Sequence, residues 1–208
     1  MKKIWKIVIL SVLILVLIAI SYFLYNKWQE SKMGFVSFEK VTEQKIDGKT
    51  YIENKEVGLK FAIPEGWEVG KYGEGVSIYS SDFVPLSKQS FFVPKNGCWF
   101  EVATEILKDN NDYNPEYGNL KLMIEDQAYL AERISDRDKL EIFNVSGLKG
   151  VKSSLLLDSN PNNVGNFIWV GVPKRNLMYL FSGYIIGQDK ERCSQEFNNF
   201  LTTVNIKK

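Results

Sequence analysis

The chain has 208 residues, 26 Lys+Arg against 25 Asp+Glu, and no histidine. The missing histidine removes the commonest general base, the commonest zinc ligand and every Ser-His or Cys-His nucleophile system. The charges are interspersed and give no basic patch of the kind nucleic acid favours, so no nucleic-acid partner is expected.

The first predicted element is a membrane anchor. Behind Lys2, Lys3 and Lys6, the run from Ile7 to Tyr25 carries no charge. As a helix it would span about 28 Å, against a hydrocarbon core of about 30 Å. Trp5 at one end and Tyr22, Tyr25 and Trp28 at the other stand where interfacial aromatic belts lie. Three lysines and the α-amino group precede the run, whereas Lys27 and Lys32, offset by Glu30, follow it. This bias predicts a cytoplasmic tail over 1–6, a transmembrane signal anchor over 7–25, a juxtamembrane linker over 26–33 and an extracytoplasmic domain over 34–208. A cleaved signal peptide would have a shorter apolar region and a small-x-small exit. Here the exit is Ser21-Tyr22-Phe23-Leu24-Tyr25, which is bulky, so a retained single-pass anchor in the cell membrane is expected.

The remaining chain suffices for one domain with a sizeable core. Residues 34–46 read as an extended lead-in, with Phe35, Val36, Phe38, Val41 and Ile46 in loose alternation. Asp47-Gly48 is a turn signal, and Tyr51-Ile52 opens the next extended piece. Val57 to Ile63 reads as a short strand stopped by Pro64. Glu68-Val69, a glycine-rich turn (Gly70, Gly73, Gly75) and Val76 to Tyr79 suggest a hairpin. Ser90 to Val93 and Cys98 to Leu107 are two further strands. Asp109 to Gly118 is a polar loop.

From Asn119 to Ile134 the period changes. Leu120, Met123, Ile124, Ala131 and Ile134 fall at helical spacing. Strand signals resume at 140–145, 148–157, 166–172 and 177–186, the last two apolar on both faces, as in the middle of a covered sheet. Cys193, Phe197, Phe200, Leu201 and Val204 form the apolar stripe of a final helix. The order of strands, helix, strands, helix predicts an α+β domain with a mainly antiparallel sheet and two helices packed on it.

Two segments resemble the PsbP-like domains. One is the turn Ile63-Pro64-Glu65-Gly66-Trp67 after an amphipathic strand. The other is the ending Phe197-Asn198-Asn199-Phe200-Leu201-Thr202-Thr203-Val204. The resemblance spans roughly residues 50–208 and implies an α-β-α sandwich without implying catalysis. Such domains are mostly binding or assembly modules, which makes another envelope protein the expected partner. The apolar run departs from the photosynthetic members, so no photosystem function is carried over.

Cys98 and Cys193 are the only cysteines. Alternation places Cys98 with Phe100 and Val102, and Cys193 lies one turn before Phe197. If the final helix packs on that sheet face the two sulfurs meet; the alternative is two separate buried thiols. A redox pair is not expected without Cys-x-x-Cys spacing. The Asp/Asn loops at 109–116 and 158–163 lack the Gly and terminal Glu of a calcium loop, so neither metal nor cofactor is expected.

The expected function is a membrane-anchored, extracytoplasmic binding or assembly module with no catalytic residues. One alternative is a module for a small apolar ligand or lipid, with Trp67, Trp99, Trp169, Tyr179 and Tyr184 lining a groove between sheet and helix. A second is a carboxylate-based envelope hydrolase, with Glu101 and Glu105 on one strand face.

Overall fold

The computed structural model describes residues 16, 18, 20–22, 24–25, 34–36, 41–72, 75–85, 94–107, 141–156, 163–185 and 189–208. The chain divides into two compact units, 1–34 and 35–208. Within the first unit, Val16, Ile18, Ile20, Ser21, Tyr22, Leu24 and Tyr25 are helical. Their large apolar side chains are exposed, from 49% at Ile20 to 68% at Tyr22. The anchor expected over 7–25 otherwise lies outside the described residues, as does the linker over 26–33. Among the described residues no helix is long and apolar enough to cross a membrane.

The second unit is an α+β domain whose registered strand pairs are all antiparallel. Its strands are β1 (Gly34–Phe35), β2 (Thr42–Ile46), β3 (Lys49–Asn54), β4 (Leu59–Ala62), β5 (Glu68–Tyr72), β6 (Gly75–Tyr79), β7 (Val84–Pro85), β8 (Pro94–Asn96), β9 (Trp99–Ile106), β10 (Glu141–Val145), β11 (Leu148–Leu156), β12 (Val164–Val172), β13 (Leu177–Ile185) and β14 (Asn205–Ile206). The C-terminal helix covers Lys190–Thr203. The large sheet runs β10-β11-β12-β13-β9-β6-β5, with β1 joining β9. A second sheet runs β14-β4-β3-β2, and β7 pairs with β8. The single sheet expected from the sequence is thus divided among several. The first glycine-rich turn is also narrower than predicted, since Gly70 and Gly75 lie inside β5 and β6. The strand expected at 90–93, the loop at 109–118 and the helix at 119–134 lie outside the described residues.

Local chemistry explains the hairpins. Asp47 and Gly48 both have positive φ, 51° and 80°, which sets the tight turn between β2 and β3. Such a pair matches the right-handed twist of the strands it joins. Pro64 stops β4 because it has no N–H for the ladder. The two-residue β14 escaped sequence reading: Asn205 and Ile206 form a strand only because Lys60 and Leu59 of β4 lie opposite them.

The core lies between the large sheet on one side and the helix and second sheet on the other. Phe100 of β9 packs on Phe197 and Phe200 of the helix, with ring centroids 5.1 and 5.7 Å apart. Phe200 meets Phe61 of β4 at 5.5 Å, nearly perpendicular. Ile52, Leu59, Phe61, Ile78, Ile168, Tyr179 and Phe181 complete a fully buried interior. Central strands β12 and β13 are apolar on both faces, as the sequence predicts. Cys98 and Cys193 form a disulfide, with Cα atoms 5.4 Å apart and both residues fully buried. The free-thiol alternative is set aside, because β9 and the helix bring the two sulfurs into bonding contact.

Candidate functional site

The helix covers β4 and leaves the inner face of β2 open. In the second sheet, Ile52, Leu59 and Phe61 point into the core. The register places Glu43 beside Ile52 and Lys45 beside Thr50, so Glu43 and Lys45 continue that inner face beyond the helix. The result is an open groove of about 880 Å³ between the β2–β3 hairpin, the Pro64–Trp67 turn and the helix. Ala62, Ile63, Trp67, Val69 and Phe200 supply its apolar lining. Glu43, Lys45, Asp47, Lys49, Glu65, Glu196, Asn199 and Thr203 supply its polar lining.

Its walls are fixed by hydrogen bonds. The Thr203 hydroxyl accepts from the Ala62 N–H at 3.1 Å and donates to Phe200 O at 2.7 Å, tying the helix end to β4. The Ile63 N–H donates to Thr50 O at 2.8 Å, and the Trp67 N–H to Pro64 O at 3.2 Å. The Trp67 indole is half-buried and packs on Phe100 at 4.8 Å, so its ring is held by the core while it lines the groove. Among the described residues, Glu43, Asp47, Glu65 and Glu196 make no ion pair.

The five aromatics singled out from the sequence do not converge. Trp67 lines this groove. Tyr179 is fully buried in the core, and its hydroxyl donates to Val57 O at 2.6 Å. Burial pushes the Tyr179 phenol up to about 12. Trp99, Trp169 and Tyr184 lie on the opposite face of the large sheet. There Trp99 stacks on Tyr184 at 4.2 Å, and Trp169 lies against Phe167 at 5.9 Å. Among the described residues no groove opens between the large sheet and the C-terminal helix, because Phe100, Phe197 and Phe200 fill that space.

Glu101 stands on the same far face, and its carboxylate accepts from the Tyr184 hydroxyl at 3.2 Å. Burial raises its pKa, against the opposing effect of that hydrogen bond. Tyr184 is also raised, first by burial and then by the charge of Glu101. Glu105 lies four residues along the strand, so the two Cα atoms are about 13 Å apart. Both side chains leave the same strand face, as the alternation predicts.

At the helix start, Asp189 accepts from the Gly97 N–H at 3.1 Å. Arg192 bridges Asp189 at 3.1 Å and Asp82 at 2.6 Å. Ser80 Oγ donates to Asp82 at 2.6 Å and accepts from the Cys98 N–H at 2.8 Å. These contacts surround the disulfide and hold the helix at its sheet. Among the described residues no cluster of three or more His, Cys, Asp or Glu could hold a metal ion. The Asp/Asn loops lie outside the described residues apart from Asn163.

The groove's carboxylates went unnoticed in the sequence. Asp47 belonged to a turn signal and Glu43 to an extended stretch, but nothing local relates them to Glu65 or to Glu196 in a helix some 130 residues further on.

No protein-family model matches the chain, and no curated protein sequence matches it. Solved structures do. The cyanobacterial PsbP of Synechocystis is 10% identical, with 78% of this chain and 95% of that one covered at a TM-score of 0.50. LpqN of Mycobacterium tuberculosis, a protein involved in cell envelope biogenesis, is 8% identical over 81% of this chain and 92% of that one, at 0.44. A protein of Bacteroides thetaiotaomicron is 15% identical over 73% of this chain, at 0.44, and the chain spans 46% of that protein's length. At such identities the likeness is one of architecture, and the fold of this chain is PsbP-like.

Proposed function

We propose that the protein is a single-pass membrane protein that holds a non-catalytic binding or assembly module outside the cytoplasm, with another envelope protein as its partner. The observation that carries this reading is the helical stretch in the first unit. Val16, Ile18, Ile20 and Leu24 leave between 49% and 59% of their surface exposed. Water penalises such a row of aliphatic side chains, whereas lipid accommodates it. The lysine-flanked, charge-free run to which these residues belong agrees with this, and the Cys98–Cys193 disulfide suits an oxidising compartment.

The binding reading draws on the open groove at Trp67. The interior filled by Phe100, Phe197 and Phe200 favours this reading over a lipid pocket beneath the C-terminal helix. Protease treatment of intact spheroplasts containing the full chain tests the topology. The module should be digested from outside and an anchor fragment should stay with the membrane. A module protected until the membrane is opened, or a chain released by carbonate washing, would refute the proposal.

A further inference from the structure

We infer that the Trp67 groove receives an extended peptide segment of a partner protein, lying along β2 with a lysine or arginine side chain over the Trp67 indole. This rests on reading the groove as the binding site. Three observations support it. The first is the edge: among the described residues β2 pairs only with β3, so its outer N–H and C=O groups can accept another strand. Unpaired edges of this kind are templates for an added chain.

The second is the indole. It is braced by Phe100 and lines the groove, within reach of a cation bound there. The third is charge. Glu43, Asp47, Glu65 and Glu196 line the groove without an ion pair among the described residues. Lys45 and Lys49 offset only part of this, leaving the groove acidic. An acidic partner would be repelled, and a neutral one would leave the carboxylates uncompensated.

The test uses the full chain in detergent micelles. It is titrated with a capped peptide of alternating lysine and threonine, then with the same peptide carrying norleucine or glutamate in place of lysine. The readout is the Trp67 indole N–H resonance, assigned with Trp67→Phe. The lysine peptide should shift this resonance to saturation. Its Kd should rise about 5-fold in a Glu65→Gln/Glu196→Gln variant and further in about 0.5 M sodium chloride. Equal binding of the norleucine or glutamate peptide would overturn the inference, as would no shift with millimolar lysine peptide. Saturation of the groove by a neutral oligosaccharide instead would also overturn it, while leaving the binding-module reading intact. A module found in the cytoplasm would sink that topology and leave this titration unaffected.

Discussion

Gly183 of β13 lies directly beneath the ring of Phe197. A Cβ at that position would stand 2.8 Å from the Phe197 ring, closer than carbon atoms approach. The ring has little room to yield, because Phe100 and Phe200 pack on it at 5.1 and 6.3 Å. A side chain at 183 therefore lifts the helix from the sheet. Gly183→Ala should lose about 1–3 kcal/mol, measured by urea unfolding of the full chain. An unchanged midpoint would show that the helix is free to move.

The disulfide closes a loop across 95 positions between two fully buried residues. In the chain-entropy model this constraint is worth about 4–5 kcal/mol. A Cys98→Ala/Cys193→Ala variant should lose a large part of that stability. Because both sulfurs are buried, mild reductant should leave the native protein oxidised and act only once urea opens the core. Thiol labelling against time, with and without urea, checks both statements.

Arg175 acts as a clasp on the C-terminal strand. Its guanidinium donates to Val57 O at 2.7 Å, Glu56 O at 3.0 Å and Lys207 O at 3.2 Å. It thereby joins the β12–β13 connection of the large sheet to the β3–β4 turn and to the residue after β14. Arg175→Ala should cost about 1–3 kcal/mol. Amide exchange should accelerate first at Lys207, whose N–H donates to Gly58 O at 2.8 Å. Exchange that rises uniformly instead would show that the clasp has no local role.

Two carboxylates give opposite pH responses. Asp82 is lowered below its ordinary 3.8, chiefly by the Ser80 hydrogen bond and then by that from Arg192. Its contribution is complete above 3.8 and is lost as pH falls through the lower folded value. Asp82→Asn should therefore reduce stability at neutral pH and flatten the acid limb. Glu101 is raised above its ordinary 4.5 by burial. Below 4.5 it is protonated in both states. As pH rises, the unfolded carboxyl ionises before the folded one and stability falls until the folded value is passed. Glu101→Gln should raise stability at neutral pH, with no gain below pH 4. Thermal melts across pH 3–8 distinguish the two variants.

Local patterns determined much of this protein. Alternation at Cys98, Phe100 and Val102 placed one cysteine inward, and the Cys193-Phe197-Phe200-Leu201 stripe placed the other. Asp47-Gly48 and Pro64 marked where strands turn or stop, because backbone conformation there depends on the residues at the turn itself. The Pro64–Trp67 turn and the closing helix were enough to suggest a PsbP-like fold.

Tertiary structure alone decided how the strands divide among sheets and which aromatics are core. Tyr179 and Trp67 look alike in a sequence. One is buried under the Val57 carbonyl, 122 positions away, and the other is braced by Phe100 and opens onto a groove, a difference made by partners distant in the chain. The groove itself exists because the helix stops short of β2. Its acidic lining draws on the β2–β3 hairpin, a turn and the helix, whose approach depends on packing across the whole core and leaves no periodic signal in the chain.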